Sequence, residues 1–250
     1  MTTSAPSHWP PPLETVNPDG QSNVLLLCEH ASNFIPAEYD GLGLPPSELQ
    51  RHIAWDIGAA EVTRRLAKLL DAPAFLGTYS RLLIDLNRPL HAPSSIVTRS
   101  EATGIPGNSR LTPAERARRA TLMFEPFHQA VETHLAQREK DGRKAIIVAV
   151  HSFTPSYAGA ARPWHAGIIY DKAPALAESI IDRLRAADES LVVEGNVPYS
   201  VTPEDYYGLL VYGDNVGRPA ILIEIRQDLL EQAEQQQAWA QRLAAALEST

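Results

Sequence analysis

The chain contains 250 residues, of which 44% are hydrophobic and 21% charged, and these proportions exclude disorder over the whole chain. The formal net charge is −8 and no run of Lys or Arg occurs, so nucleic acid and an anionic membrane surface are poor candidates for partners. The single cysteine, Cys28, excludes an intramolecular disulfide. The sequence also has no apolar run long enough to span a bilayer and no signal-peptide pattern. Together these features predict a cytoplasmic protein.

The first part of the chain differs from the rest in composition. Residues 1–20 are rich in proline and offer little apolar sequence to bury, which predicts an extended arm that is ordered only in part. Residues 21–250 are then predicted to form one α/β domain, because strand-like and helix-like segments alternate along them.

Short runs rich in leucine and β-branched residues predict the strands, several of them apolar without alternation and therefore covered on both faces. These runs lie at 24–29, 74–79, 145–150, 166–170, 191–194 and 220–226. Amphipathic spacing predicts the helices. They lie at 57–70, 113–140, 174–187 and 228–247. The alternation predicts a three-layer α/β/α domain with a largely parallel or mixed central sheet.

Three local signals refine this outline. Thr112 and Pro113 form an N-terminal cap for the second helix, Gly142 is a stop for it, and Pro126 inside it predicts a kink or a break. The segment 89–112 is rich in Pro, Ser, Thr and Gly and lacks periodicity, so it is a candidate lid.

Polar residues are concentrated where predicted strands end, the edge at which open α/β sheets bind ligands. His30 follows the first buried strand, His151 follows a later one, and Glu224 lies inside the last.

Each of these polar residues, and several near them, could instead have a purely structural role. A histidine at a strand end is more often hydrogen bonded than a ligand, and Asp56 suits the N-cap of the helix at 57–70. Glu224 with Arg226 suits an ion pair, and Arg81, Asp85 and Arg88 suit a salt-bridge network that holds a loop.

Segments in a fixed order resemble the N-formylglutamate amidohydrolase family and cover nearly the whole chain from residue 24. They are CEHASNFIP at 28–36, HIAWDIGA at 52–59, SRLLIDLNRP at 80–89, VHSF at 150–153, NVPYS at 196–200 and IEIRQD at 223–228. The DLNR segment also resembles that of aspartoacylase-type deacylases, and an early His, a later His and a late Glu-x-Arg resemble zinc carboxypeptidases. The resemblance implies a fold related to that of the carboxypeptidases, one zinc ion and a role in histidine degradation.

A catalytic zinc ion takes three protein ligands and keeps a position open for water. On the residues that match the family segments, the resemblance implies His30, His151 and Asp56 as these ligands. Glu29 is a rival for the carboxylate, although it adjoins His30 and neighbouring strand residues point to opposite faces. Asn33 stands where the carboxypeptidase pattern has a glutamate, and this departure leaves the third ligand open.

The resemblance also implies catalytic and substrate-binding residues. Glu224 would be the general base and Arg81 would stabilise the oxyanion, while Asn87 and Arg88 would hold a substrate carboxylate. Asp85 would orient Arg81 or Arg88. Further residues are expected to add positive charge or to line the pocket. They are Arg226, Arg162, Asn196 and Tyr199.

These residues predict hydrolysis of the amide of an N-formyl or N-acyl amino acid, with the small anionic N-formyl-L-glutamate as the leading substrate. A metallocarboxypeptidase-like peptidase and a deacylase for another acyl group are alternatives. So are a carboxylate-binding module without turnover and a Cys28-dependent hydrolase, although a thiol in a buried apolar strand is expected to be inert. The oligomeric state and the metal used in the cell are left open.

Overall fold

The computed structural model of the chain describes residues 9–202 and 204–248. Most of its strands belong to one sheet, and the others form two short hairpins. The strands are β1 (Leu13–Val16), β2 (Val24–Cys28), β3 (Ala74–Gly77), β4 (Arg99–Ser100), β5 (Thr103–Gly104), β6 (Ile146–Phe153), β7 (Ser156–Tyr157), β8 (Ala160–Ala161), β9 (Ala166–Ile169), β10 (Val193–Gly195) and β11 (Ala220–Arg226). The helices are α1 (Ala59–Leu69), α2 (Pro113–Arg119), α3 (Glu125–Lys140), α4 (Pro174–Ala187) and α5 (Ala233–Leu247).

The main sheet has seven strands in the order β1-β3-β2-β6-β11-β9-β10. Its centre, from β3 through β2 and β6 to β11, is parallel, whereas β1 pairs antiparallel with β3 and β9 pairs antiparallel with β11. The central strands are buried along nearly their whole length, as expected for strands covered on both faces. The predicted mixed α/β sheet is therefore confirmed.

Two apolar layers enclose this sheet. On one face α1, α4 and α5 pack against the strands and against each other through residues such as Leu66, Ile180 and Leu243. On the other face α3 contributes Phe127 and Val131 to a separate core. Among the described helices, none has the length and apolar content required to cross a membrane.

The predicted helix at 113–140 is divided in two by a wider turn. Thr112 caps α2 by accepting a hydrogen bond from the Glu115 N–H at 3.1 Å, and Pro113 occupies the first turn. A π-helical segment at residues 120–124 joins α2 to α3, and Pro126 falls in the first turn of α3, directly after this wider turn. In place of a break or a kink, the helix thus contains one wider, π-helical turn. Gly142 follows the end of α3 with a φ of +70°.

The segment predicted to be an extended arm contributes to the domain. Residues 1–8 lie outside the described ranges, but β1 forms an edge of the sheet and Trp9 is buried. The Trp9 ring packs against Tyr39 and Tyr79, and its Nε1–H donates to Glu38 Oε1 at 3.0 Å. Aromatic packing and strand pairing therefore attach the chain from Trp9 onward, which the proline content of the segment did not predict.

His128 on α3 makes the stability of the fold sensitive to pH. Its Nε2–H donates to the Leu86 carbonyl at 3.0 Å, its Nδ1 contacts the Tyr212 hydroxyl, and burial lowers its pKa to about 4. Because the unfolded chain takes up this proton near pH 6.5, the stabilisation is complete above pH 6.5 and is lost as the pH falls towards 4. Between pH 7.5 and 5 the wild type is expected to lose about 2 kcal/mol more unfolding free energy than His128→Gln in urea titrations. Parallel profiles for the two proteins would contradict this.

Candidate active site

The central parallel strands carry the predicted polar residues to one edge of the sheet. His30 follows β2, and His151 lies near the end of β6. Glu224 on β11 lies directly opposite His151 in the parallel pairing. A backbone hydrogen bond of 2.9 Å from the Asp56 N–H to the His30 carbonyl holds the loop before α1 at the same edge.

His30, Asp56 and His151 form a buried cluster. One ligand atom from each lies within 4.8 Å of the others. Asp56 Oδ2 is 2.8 Å from His151 Nδ1 and 3.4 Å from His30 Nδ1, and the two imidazole rings stand nearly perpendicular with centroids 4.7 Å apart. Asp56 does not cap α1, whose N-cap is Gly58 without a side-chain hydrogen bond. The structural alternative for Asp56 is therefore not what the chain adopts.

Two further carboxylates hold the opposite nitrogens of the two rings. Asp85 Oδ1 lies 2.7 Å from His30 Nε2, and Glu29 Oε2 lies 2.9 Å from His151 Nε2. Such contacts fix the orientation of a histidine and leave its other nitrogen for a ligand. Glu29, the rival third ligand, thus lies behind His151. Asn33 donates to the Leu49 carbonyl at 2.9 Å and takes no part in the cluster.

The charges of the cluster depend on one another. Burial by itself opposes a charged His151, but the Asp56 and Glu29 carboxylates outweigh this effect and raise its pKa to about 10. Burial also opposes ionisation of Asp56, and the two histidines nevertheless hold its pKa far below the usual value. Without a metal ion, the protonated form of His151 is therefore favoured between the Asp56 and Glu29 carboxylates.

The donor atoms of this cluster fit a divalent metal ion. Two imidazole nitrogens and one carboxylate oxygen match the ligand set of catalytic zinc sites, which keep one position open. The Glu29 and Asp85 contacts supply the outer support that such sites require. Fe, Co or Mn could be bound by the same donors.

Glu224 is a buried acid without a hydrogen-bond partner for one of its oxygens. Its Oε2 is buried and unpaired within the described part of the chain. Burial raises its pKa to about 7; His151 acts against this shift and Asp56 adds to it. A carboxyl group with a pKa near neutrality and an unpaired oxygen in a cavity is suited to proton transfer. The alternative ion pair with Arg226 does not form, since Arg226 pairs with Asp228 at 2.8 Å.

Arg81 joins the cluster through Asp85. Its Nη2 and Nε donate to Asp85 Oδ2 at 2.6 and 3.1 Å, and its Nη1 lies 3.5 Å from Asp56 Oδ1. Asp85 thus contacts both Arg81 and His30, so a single carboxylate connects a cation with a candidate metal ligand. Arg81 is one of the two arginines that Asp85 is predicted to orient.

Asn87 and Arg88 follow immediately and are held by the segment 205–208. Asn87 Oδ1 accepts a hydrogen bond from the Gly208 N–H at 3.3 Å, which leaves the Asn87 amide N–H groups as the donors still available. Arg88 Nε lies 2.9 Å from Asp205 Oδ1. A Cβ at Gly208 would approach Glu29 Oε1 to 2.8 Å, so glycine permits this close contact.

A cavity of about 80 Å³, termed the inner cavity, lies between these groups. It brings together most of the predicted site residues and adds Ser152 and Tyr206. Its lining residues are His30, Asp56, Arg81, Asn87, Arg88, His151, Ser152, Tyr199, Tyr206 and Glu224.

Three residues expected at the substrate pocket do not line the inner cavity. Arg226 pairs with Asp228 and also donates to the carbonyls of the 162–164 segment, so it fastens a loop. The Asn196 side chain accepts a hydrogen bond from the Tyr170 N–H at 3.0 Å, beside the cis Val197–Pro198 bond. Arg162 stacks on Tyr199 with 4.9 Å between guanidinium and ring, and so supports a residue of the lining.

Tyr206 and Ser152 are the lining residues that sequence reasoning missed. Tyr206 is 6% exposed and has a φ of +67°, a conformation unfavourable for a bulky side chain. Its place in the cavity depends on this backbone conformation, which no sequence pattern indicates. Ser152 adjoins His151 in the VHSF segment, and this adjacency was the one available signal.

Cys28 lies on β2 with no exposed surface, and burial raises the pKa of its thiol well above the usual value. A buried, protonated thiol is a poor nucleophile. The environment of Cys28 is therefore that of an apolar packing residue.

Comparison with known proteins gives a consistent result. Residues 22–231 match the sequence model of the N-formylglutamate amidohydrolase family. A crystal structure of a gene product from Agrobacterium tumefaciens is 37% identical, with a TM-score of 0.89 over 95% of each chain. N-formylglutamate amidohydrolase from Ralstonia eutropha JMP134 shares the fold at 19% identity, with a TM-score of 0.70 over 94% of this chain and 95% of that one. No curated protein matches the chain.

Proposed function

Since this chain belongs to the N-formylglutamate amidohydrolase family, we propose that it cleaves the amide C–N bond of N-formyl-L-glutamate and uses one zinc ion to do so. The products would be formate and L-glutamate. One observation carries the proposal: His30, Asp56 and His151 converge in one cavity with the unpaired carboxylate of Glu224. Cytoplasmic hydrolysis, as a step of histidine degradation, belongs to the same proposal.

The three clustered residues would hold the ion, with the two Nδ1 atoms and an Asp56 oxygen as donors. A bound divalent cation would act as a Lewis acid on the amide carbonyl and on the attacking water. His151 must lose its proton before it can ligate, so metal binding is expected to release a proton. Glu29 and Asp85 would keep both rings in the ligating orientation.

Glu224 would transfer the proton in both halves of the reaction. Beside a bound cation its carboxyl group would have a lower pKa and would be ionised at neutral pH. It would take a proton from water as the water oxygen bonds to the formyl carbon, and then give that proton to the amide nitrogen as the C–N bond breaks. The leaving group would be the neutral amine of glutamate.

Arg81 would stabilise the charge that develops on the carbonyl oxygen. Its Nη1 is the guanidinium nitrogen that Asp85 does not engage, and Arg81 lines the inner cavity. Preorganised donors of this kind stabilise an oxyanion more than the ground-state carbonyl. The Asp85 contacts would keep the guanidinium in place during the reaction.

Asn87 and Arg88 would bind a carboxylate of the substrate. The Asn87 amide donates from a fixed position because Gly208 holds its oxygen, and a guanidinium recognises a carboxylate through two parallel hydrogen bonds. A net charge of −8 repels an anionic substrate at long range, so this local positive charge is needed for binding.

Arg88→Lys is expected to lower kcat/KM for formylglutamate by roughly 10- to 100-fold, the range for loss of a charge-assisted hydrogen bond. The effect should fall mainly on KM, because the contact forms with the ground state as well as the transition state. Arg226→Lys is the matched control, since Arg226 lies outside the lining of the inner cavity. Equal effects of both substitutions on KM would contradict a specific role for Arg88.

The proposed function is tested by formate release from N-formyl-L-glutamate before and after chelation, with zinc then added back. Activity that disappears with the metal and returns with zinc supports the proposal. No turnover by fully metallated protein would overturn the substrate, and acetylated amino acids and short peptides would be assayed next. Turnover by protein proved to be metal-free would overturn the metal mechanism, and Cys28→Ser would then test the thiol.

A further inference from the structure

The inner cavity is too small for a complete substrate. Its volume of about 80 Å³ is well below the roughly 300–1,000 Å³ of typical small-molecule sites. A second cavity of about 190 Å³, termed the outer chamber, shares Arg81, Arg88 and Tyr199 with it. Because the two cavities adjoin at these residues, a substrate whose amide lies beside Glu224 would extend into the outer chamber.

The part of the outer chamber away from the inner cavity is lined by polar side chains. His52, Ser94 and Ser100 line it. Their side chains make no hydrogen bond to the described residues, and His52 Nε2 is buried. Glu101 Oε2 lies 3.2 Å from this nitrogen as an ion-pair contact without hydrogen-bond geometry. Each of these side chains has an N–H or O–H to donate.

The wall that carries Ser94 and Ser100 is firmly attached to the site. The Asp85 N–H donates to the Ser95 carbonyl at 2.7 Å, so the wall bonds directly to the residue that holds His30. Asn108, which is buried, donates to the carbonyls of Val97 and Leu82 at 2.8 Å. Residues 89–112 were the candidate lid. These hydrogen bonds attach the segment to the residues of the candidate site, and it forms one wall of the outer chamber.

We propose that the outer chamber receives the side chain of the substrate's amino acid and that His52, Ser94 and Ser100 determine which side chain is accepted. The Ser94 and Ser100 hydroxyls, which have no hydrogen-bond partner among the described residues, and the imidazole of His52 favour a side chain that ends in acceptor oxygens, such as a carboxylate. An apolar side chain offers the two hydroxyls no acceptor, and a site built to hydrogen bond a group discriminates strongly against an analogue that lacks it. The proposal rests on the proposed function for the identity of the amide that lies in the inner cavity.

The test compares N-formylglutamate with N-formylnorleucine, whose side chain has similar length and no acceptor. The variants are His52→Leu and the double variant Ser94→Ala with Ser100→Ala. Each is expected to lower the ratio of kcat/KM for glutamate over norleucine by roughly 10-fold or more, with little change for norleucine. Thr98→Ala is the matched control, because Thr98 is exposed in the same segment and does not line the chamber.

The ratio separates this proposal from the proposed function. An unchanged ratio in both variants overturns the proposal while turnover of formylglutamate stands. Equal losses on both substrates also overturn it, since they indicate a structural role for the wall. If the wild type hydrolyses neither compound, the proposed function fails, and calorimetric binding of the same two compounds to wild type and variants decides the role of the chamber without turnover.

Discussion

Glu224→Gln is expected to lower kcat for formylglutamate by roughly 10³-fold, within the range for loss of a general acid–base group. Glutamine retains the size and the polar end of the side chain but cannot take a proton from water. Because Glu224 does not belong to the His30–Asp56–His151 cluster, the zinc content of the variant should equal that of the wild type. The measurement is the initial rate of formate release at matched zinc content.

Glu194→Gln is the control for this substitution. Glu194 lies exposed on β10, at the edge of the same sheet. Its substitution therefore makes the same chemical change outside the site. Glu194→Gln should retain wild-type kcat. If Glu224→Gln also retained it, another group would have to move the proton, and the proposed role of Glu224 would be wrong.

The fold could be predicted from the sequence because the apolar residues of its buried strands and helices follow recognisable patterns. The continuous apolar runs of β2, β6 and β11 reflect strands that are covered on both faces. Thr112 and Gly142 mark the limits of the helical region between β5 and β6 through local hydrogen bonding and backbone conformation. The sequence does not predict β1, because a short edge strand next to prolines has few apolar residues to mark it.

The candidate site was predictable where neighbouring strands bring residues together. His30, His151 and Glu224 follow or belong to adjacent parallel strands, so a topological rule places them at one edge. The partners of these residues are not fixed by such a rule. Glu29, which follows β2, contacts the far nitrogen of His151 on the neighbouring strand, and Tyr206 lines the cavity with a positive φ.

Charge and strand position do not distinguish the arginines that line the cavities from those that do not. Arg226 lies two residues beyond Glu224 on the same strand face, which made it a candidate for the substrate carboxylate. Its guanidinium donates to Asp228 and to backbone carbonyls, whereas Arg88 lines both cavities. A guanidinium has several donors, and which of them remain free depends on loops that lie far apart in sequence.

Asp56 and Glu29 are expected to differ in how much each contributes to zinc binding. Asp56→Asn should weaken zinc binding by more than the roughly 10- to 100-fold expected for loss of an outer partner, as in Glu29→Gln. Asp56 lies between both Nδ1 atoms, whereas Glu29 contacts only the far nitrogen of His151. Zinc affinity would be measured by competition with a chromophoric chelator at constant pH, because binding is coupled to proton release from His151.

The order of the two effects decides which carboxylate binds the ion. If Glu29→Gln abolished zinc binding while Asp56→Asn retained it, Glu29 would be the third ligand, and the observed hydrogen bond to His151 would belong only to the metal-free state. Asp56 is expected to matter more than Glu29 because of where the ring nitrogens point as well as how far they lie from each carboxylate. An imidazole ligates through one nitrogen, and in both rings Nε2 is held by an outer carboxylate while Nδ1 faces Asp56.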